Sequence, residues 1–180
     1  MISPLWKGQY LDDLKNCKNT EDDNVMGILI AVKDFGLTIN KWILQDFIDA
    51  GLDLDEPHDS LPGEDTNNLL EYACEYRDVA LVKSCLECGA DANYEHEYVR
   101  PDYRHETPLE LAFTGRGDWM FGYNKEIGEI VKLLMQYKAK PVIGKNCLIF
   151  LQDTNSEEED ANMHLPLPHE LIPNVKYSNT

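Results

Sequence analysis

A chain of 180 residues with 43% hydrophobic content can close one core of ordinary domain size without metal or disulfide staples. Its 33 Asp and Glu against 16 Lys and Arg leave a formal net charge of −17. That field repels phosphate backbones and anionic lipid surfaces, so nucleic acid and membrane are excluded as expected partners. The same field either speeds the approach of a basic protein or simply keeps the chain soluble.

The first ten residues, Met1 to Tyr10, lack the basic, apolar, small-residue order of an export signal. Residues 1–22 are expected to form a front cap, with a helix from Ser3-Pro4-Leu5-Trp6 to Leu14. The apolar run Val25 to Val32 follows Glu21, Asp22 and Asp23 and is far too short to cross a bilayer, which needs about 20 apolar residues. Cys17, Cys74, Cys85, Cys88 and Cys147 are odd in number and mostly sit inside apolar helical patterns, which points to a reducing, cytoplasmic setting.

Further along, Ile43, Phe47 and Ile48 precede Gly51, and Val79, Leu81, Val82, Cys85 and Leu86 form an apolar stripe at helical spacing that ends at Gly89. Each glycine is placed to take the left-handed conformation that stops a helix. Thr107 before Pro108 reads as a helix cap with proline at the first helical position.

Two segments recur. Asn68-Leu69-Leu70-Glu71-Tyr72-Ala73-Cys74 and Thr107-Pro108-Leu109-Glu110-Leu111-Ala112-Phe113 align with Leu70 and Leu109 39 residues apart. Gly51-Leu52-Asp53-Leu54-Asp55 and Gly89-Ala90-Asp91-Ala92-Asn93 align at an offset of 38, and Met135 to Pro141 is a weaker third copy. Here the chain resembles the ankyrin repeat family, whose units of about 33 residues pair two helices and open on Thr-Pro-Leu-His-x-Ala. Thr107 to Ala112 matches that opening except for Glu110 in place of His. The resemblance implies an all-α solenoid of helix-turn-helix repeats with long inter-repeat loops and helical caps. Three units are expected over 23–65, 66–106 and 107–141, with Ala73 and Ala112 permitting close helix approach. Residues 142–151 are expected as a helical back cap. Residues 152–180 read as an acidic, proline-containing tail whose prolines oppose helix formation, and which is either disordered or laid back along the slab.

Insertions in such a stack fall in loops, often on the binding face. The first lengthened loop carries Asp55, Glu56, His58 and Asp59. The second, Asn93 to Thr107, is about twice the family's usual connection and offers Tyr94, Tyr98, Arg100, Tyr103 and Arg104, side chains that dominate interface energetics. Arg100 and Arg104 either clasp a partner's carboxylates or pair internally with Glu95, Glu97 or Glu106. A third insertion brings Trp119, Phe121 and Tyr123, which either anchor a contact or cover the end of the core.

Chemistry is poorly represented. Cys85 and Cys88 have the spacing of a metal or redox pair, but one pair without a second reads as buried small hydrophobes. The five histidines stand beside no nucleophile at recognisable spacing, and no phosphate loop, zinc-protease pattern or nucleophile elbow is present. The expectation is a non-enzymatic chain, monomeric when free, with no cofactor and no metal. It would bind a protein with a basic surface, as a stoichiometric inhibitor of the immunity or antitoxin type. The alternative is an adaptor or secreted effector that uses residues 157–173 as a linear docking segment.

Overall fold

The computed structural model describes residues 12, 24–34, 36–57, 67–95, 107–115, 124–145, 147–149, 151–152 and 166–178. The chain is mostly helical. Its elements are α1 (Asn24–Asp34), α2 (Lys41–Asp49), α3 (Leu69–Glu75), α4 (Val79–Cys88), α5 (Pro108–Thr114), α6 (Asn124–Gln136), β1 (Val142–Gly144), α7 (Pro168–Leu171) and β2 (Lys176–Ser178).

Local chemistry explains where the helices begin. Asn40 caps α2 by accepting from the Trp42 and Ile43 N–H groups at 3.0 and 3.1 Å, and Asp78 caps α4 by accepting from the Leu81 N–H at 3.0 Å. In α3 the cap is reciprocal: Asn68 Oδ1 accepts from the Glu71 N–H at 2.8 Å, and Glu71 Oε2 accepts from the Asn68 N–H at 2.9 Å. Thr107 and Glu110 repeat the arrangement at α5, with Pro108 filling the first helical position.

The ends are equally regular. Gly51, Gly89 and Lys138 take φ of 115°, 100° and 68° after α2, α4 and α6. In each case the next N–H reaches back to a carbonyl five residues earlier: Leu52 to Phe47, Ala90 to Cys85, Ala139 to Leu134, at 3.0 to 3.1 Å. Lys138 does this without glycine's freedom, so its backbone carries the strain that Gly51 and Gly89 avoid.

The helices lie in two layers. In one, α4 has α2 and α6 as neighbours; in the other, α3 lies beside α5; α3 also packs on α4 and α5 on α6. Fully buried Phe47, Leu69, Leu70, Leu81, Leu86, Leu109, Phe113, Ile127 and Ile130 fill the space between the layers. Ala73 and Ala112, both at 0% exposure, stand at matching places on the adjacent helices α3 and α5. Without larger side chains there, the backbones come close: a Cβ on Gly115 would meet the Glu75 carbonyl oxygen, and it would lie 2.7 Å from Glu75 Cα and from Leu111 O.

The C-terminal part differs from the expectation of an entirely helical back cap. Val142–Gly144 is a strand paired in parallel with β2, Val142 opposite Lys176 and Gly144 opposite Ser178; helix begins only after it, at residues 145, 147–149 and 151–152. A branched Val-Ile pair with a backbone partner beside it favours the extended form. The expectation that prolines keep helix out of 152–180 is also corrected. Pro168 occupies the first position of α7, where its missing N–H is no loss, and Glu170 Oε2 accepts from the Leu167 N–H at 2.7 Å. Residues 166–178 lie back on the helices, with α7 against α6 and Ile172 only 1% exposed. The expected front helix, Ser3 to Leu14, and residues 153–165 lie outside the described residues apart from Asp12, which is helical.

Candidate protein-docking site

The turns that follow α2, α4 and α6 carry a regular polar geometry. Asp53 Oδ1 accepts from the Asp55 N–H at 3.0 Å, and Asp91 Oδ1 accepts from the Asn93 N–H at 2.9 Å, the same side-chain turn 38 residues later. Each turn then grips the next. The Asp91 N–H donates to Asp55 Oδ1 at 2.9 Å, and the Lys140 N–H donates to Asn93 Oδ1 at 2.6 Å. Asp55 and Asn93 both stand four residues beyond the left-handed residue of their own turn, while Asp91 and Lys140 both stand two beyond theirs. Asn93 adds a second bond, Nδ2 to Lys138 O at 3.1 Å. The turns are therefore tied one to the next, and the connections that carry the candidates Asp55 to Asp59 and Tyr94 to Arg104 leave from the first two of them, whereas Trp119, Phe121 and Tyr123 belong to the connection between α5 and α6.

Of those residues, Asp55 is half-buried and uses Oδ1 in the turn-to-turn bond, Glu56 beside it is exposed, and Tyr94 is half-buried with its N–H on Asp91 O at 3.2 Å. His58, Asp59, Tyr98, Arg100, Tyr103, Arg104, Trp119, Phe121 and Tyr123 lie outside the described residues. The structure thus brings Asp55 and the Asp91–Tyr94 turn together. Glu95, just beyond, faces Lys140 Nζ at 3.8 Å, but both side chains are 67% exposed, and such a pair adds little to stability.

Several polar residues escaped the sequence reading. Glu71 and Glu110 are buried at 0% and 7% exposure, although nothing in their composition suggests it. Glu110 Oε1 also accepts from the Gly144 N–H, so one carboxylate caps α5 and holds β1. The signal was an Asn or Thr followed three residues later by Glu, a capping box. Lys33 bridges α1 to α4: its Nζ lies 3.3 Å from Asp78 Oδ2, donates to Tyr72 Oη at 3.4 Å and sits 4.7 Å from the Tyr72 ring centre. Arg77, at 8% exposure with φ of 53°, has no acceptor for Nε or Nη2 among the described residues. Burial lowers its pKa, and the charge of Glu126 in the first turn of α6 partly restores it.

The cysteine pair is not arranged for reactivity. Cys85 is fully buried and its thiol is pushed well above its usual range, chiefly by burial; Cys74 behaves alike, with Glu71 adding to the effect. Cys88 is half-buried, its Sγ 3.7 Å from Lys41 O, and burial raises its pKa also. Among the described residues no group of three or more His, Cys, Asp or Glu is placed to hold a metal ion, and no helix is long and apolar enough to cross a membrane.

No protein-family model, curated protein or solved structure matches this chain.

Proposed function

We propose that the chain is a non-catalytic, cytoplasmic protein-binding module, built as a three-unit ankyrin-type stack over residues 23–141 and acting as a stoichiometric inhibitor of a basic protein. What carries this reading is the turn-to-turn bond made twice in the same register, Asp55 to Asp91 and Asn93 to Lys140. Identical bonds between successive turns are what stacked units related by one repeated displacement require, and such a stack presents its connecting loops along one edge as a binding surface. The net charge of −17 selects for a basic partner and for fast, salt-sensitive association. The chain would be monomeric before it engages that partner, and the reading needs neither cofactor nor metal.

The adaptor reading, in which 157–173 docks as a free linear segment, is less favoured. Leu167, Leu171 and Ile172 are spent on this chain's own core. The test is affinity capture from the native cell, followed by binding of the purified partner at increasing salt. A basic partner, bound one to one and released as ionic strength rises, supports the proposal; an acidic partner, or affinity indifferent to salt, overturns it.

A further inference from the structure

The second helix of each pair can be compared position by position, because each ends at a left-handed residue. Nine residues before Gly51, Gly89 and Lys138 stand Trp42, Ala80 and Glu129, and all three are exposed. The fold therefore asks for no large apolar group at this place: α4 fills it with a methyl and α6 with a carboxylate. Yet α2 puts an indole there at 77% exposure, the most exposed of the large hydrophobic side chains among the described residues. Ile43, Leu44 and Phe47 do the packing of α2, and Trp42 contributes to none of it.

The surroundings of that indole are acidic. At helical spacing from Trp42, Asp46 and Asp49 share its face, about 10 Å from end to end, with Gln45 Nε2 donating to Asp49 Oδ1 at 3.0 Å. Lys41 is exposed beside Trp42, and Asp53 and Glu56, which follow Gly51, are exposed as well. Aromatic rings attract cations through their negative faces, and carboxylates close by strengthen the preference.

We propose that this face of α2, Trp42 with Asp46 and Asp49, is a docking surface that receives a lysine or arginine side chain of a basic protein. The cation lies on the indole and hydrogen-bonds to the flanking carboxylates. This rests on the basic-partner reading above and adds to it a surface on α2.

The probe is a fluorescein-labelled dodecalysine peptide, followed by anisotropy with the full chain at low and at physiological salt. Salt-sensitive binding is expected, weakened about tenfold by Trp42→Ala, less by Trp42→Phe, and also weakened by Asp46→Asn with Asp49→Asn. The thermal midpoint of Trp42→Ala should stay unchanged, since the indole does not pack in the core. Equal affinity for wild type and all variants overturns this surface and leaves the basic-partner reading standing. Absence of any salt-sensitive binding to wild type overturns both. Sedimentation equilibrium separates a third outcome: a dimer that Trp42→Ala dissolves would mean a second copy covers the indole, and the proposed surface would be wrong.

Discussion

The middle of the molecule and its back end hold together by different means. Around α3 every residue from Leu69 to Glu75 is buried, because α4 and α5 cover it from two directions. At the back, α6 and β1 are closed by residues 166–178, a single helical turn, a short connection and a three-residue strand, in which Pro168 and Ile172 are buried while Lys176 and Tyr177 are exposed. The turns explain the change. The position that holds Asp55 and then Asn93 is Val142 in the third turn, which offers no side-chain acceptor. Backbone pairing takes over there: β1 runs beside β2, and the Lys176 N–H donates to Pro141 O at 2.8 Å. The first two turns are held by a bond from the turn that follows, whereas the third is held by a piece of chain that returns.

This contrast is broken most directly by cavities. Leu70→Ala, in the doubly covered middle, should cost about 4 kcal/mol, because neighbours fixed on both sides cannot collapse into the space. Ile172→Ala, at the back, should cost about 2 kcal/mol, since the short returning segment can shift to close the gap. Urea unfolding reads both. Equal losses would mean that residues 166–178 are as rigidly built in as α3.

Gly115→Ala probes the same middle by crowding instead of emptying it. The added methyl meets the backbone of Glu75, which is held by α3 and has no rotamer to give, so a loss of about 3 kcal/mol is expected. Wild-type stability in this variant would mean that α3 and α5 do not approach as closely as Ala73 and Ala112 allow.

The buried thiols sharpen the comparison through pH. Cys74 and Cys85 have folded pKa values raised above the 9.0 of a free thiol, so the unfolded chain releases their protons first as pH climbs. Their contribution is intact below pH 9.0 and is lost above it, at about 1.4 kcal/mol per pH unit for each thiol. Lysines and tyrosines titrate in the same window, so the quantity to measure is the difference from Cys74→Ala. The alkaline slope of its unfolding free energy should be shallower than that of wild type, and parallel slopes would show that Cys74 meets water in the native state.

Much of the helical plan was legible. The stripe Leu81, Val82, Cys85 and Leu86 and the stops at Gly51 and Gly89 follow from side-chain size and backbone freedom, which are local properties. Lys138 is harder to see, since nothing in a lysine announces φ of 68°; the weak third copy from Met135 to Pro141 sets it opposite Gly89, and the bond pattern around it shows the same turn. The strand at Val142–Gly144 was missed because its partner lies 34 residues away, at Lys176–Ser178, beyond any local window. Trp42 was legible in principle: Ile43, Leu44 and Phe47 already define the inward face of α2, and Trp42 lies off it. Aromatics clustered between helices stand out in the sequence, while an exposed indole inside a regular helix does not.

The smallest effect tests the turns. Asn93 gives and takes, accepting from the Lys140 N–H and donating to Lys138 O, whereas Asp55 accepts from Asp91 and donates nothing across the same gap. Removing the side chain at either place leaves a backbone N–H that water can reach, so neither loss should approach that of a buried orphan. Asn93→Ala should cost about 1.5 kcal/mol and Asp55→Ala about 1 kcal/mol, with the double variant additive because the two bonds share no atom and tie different pairs of turns. Strong coupling between the two would mean that the turns move as one body. Two losses near zero would mean that the helices alone fix the spacing, and the matched register of these bonds would then be a consequence of helix packing and not one of its causes.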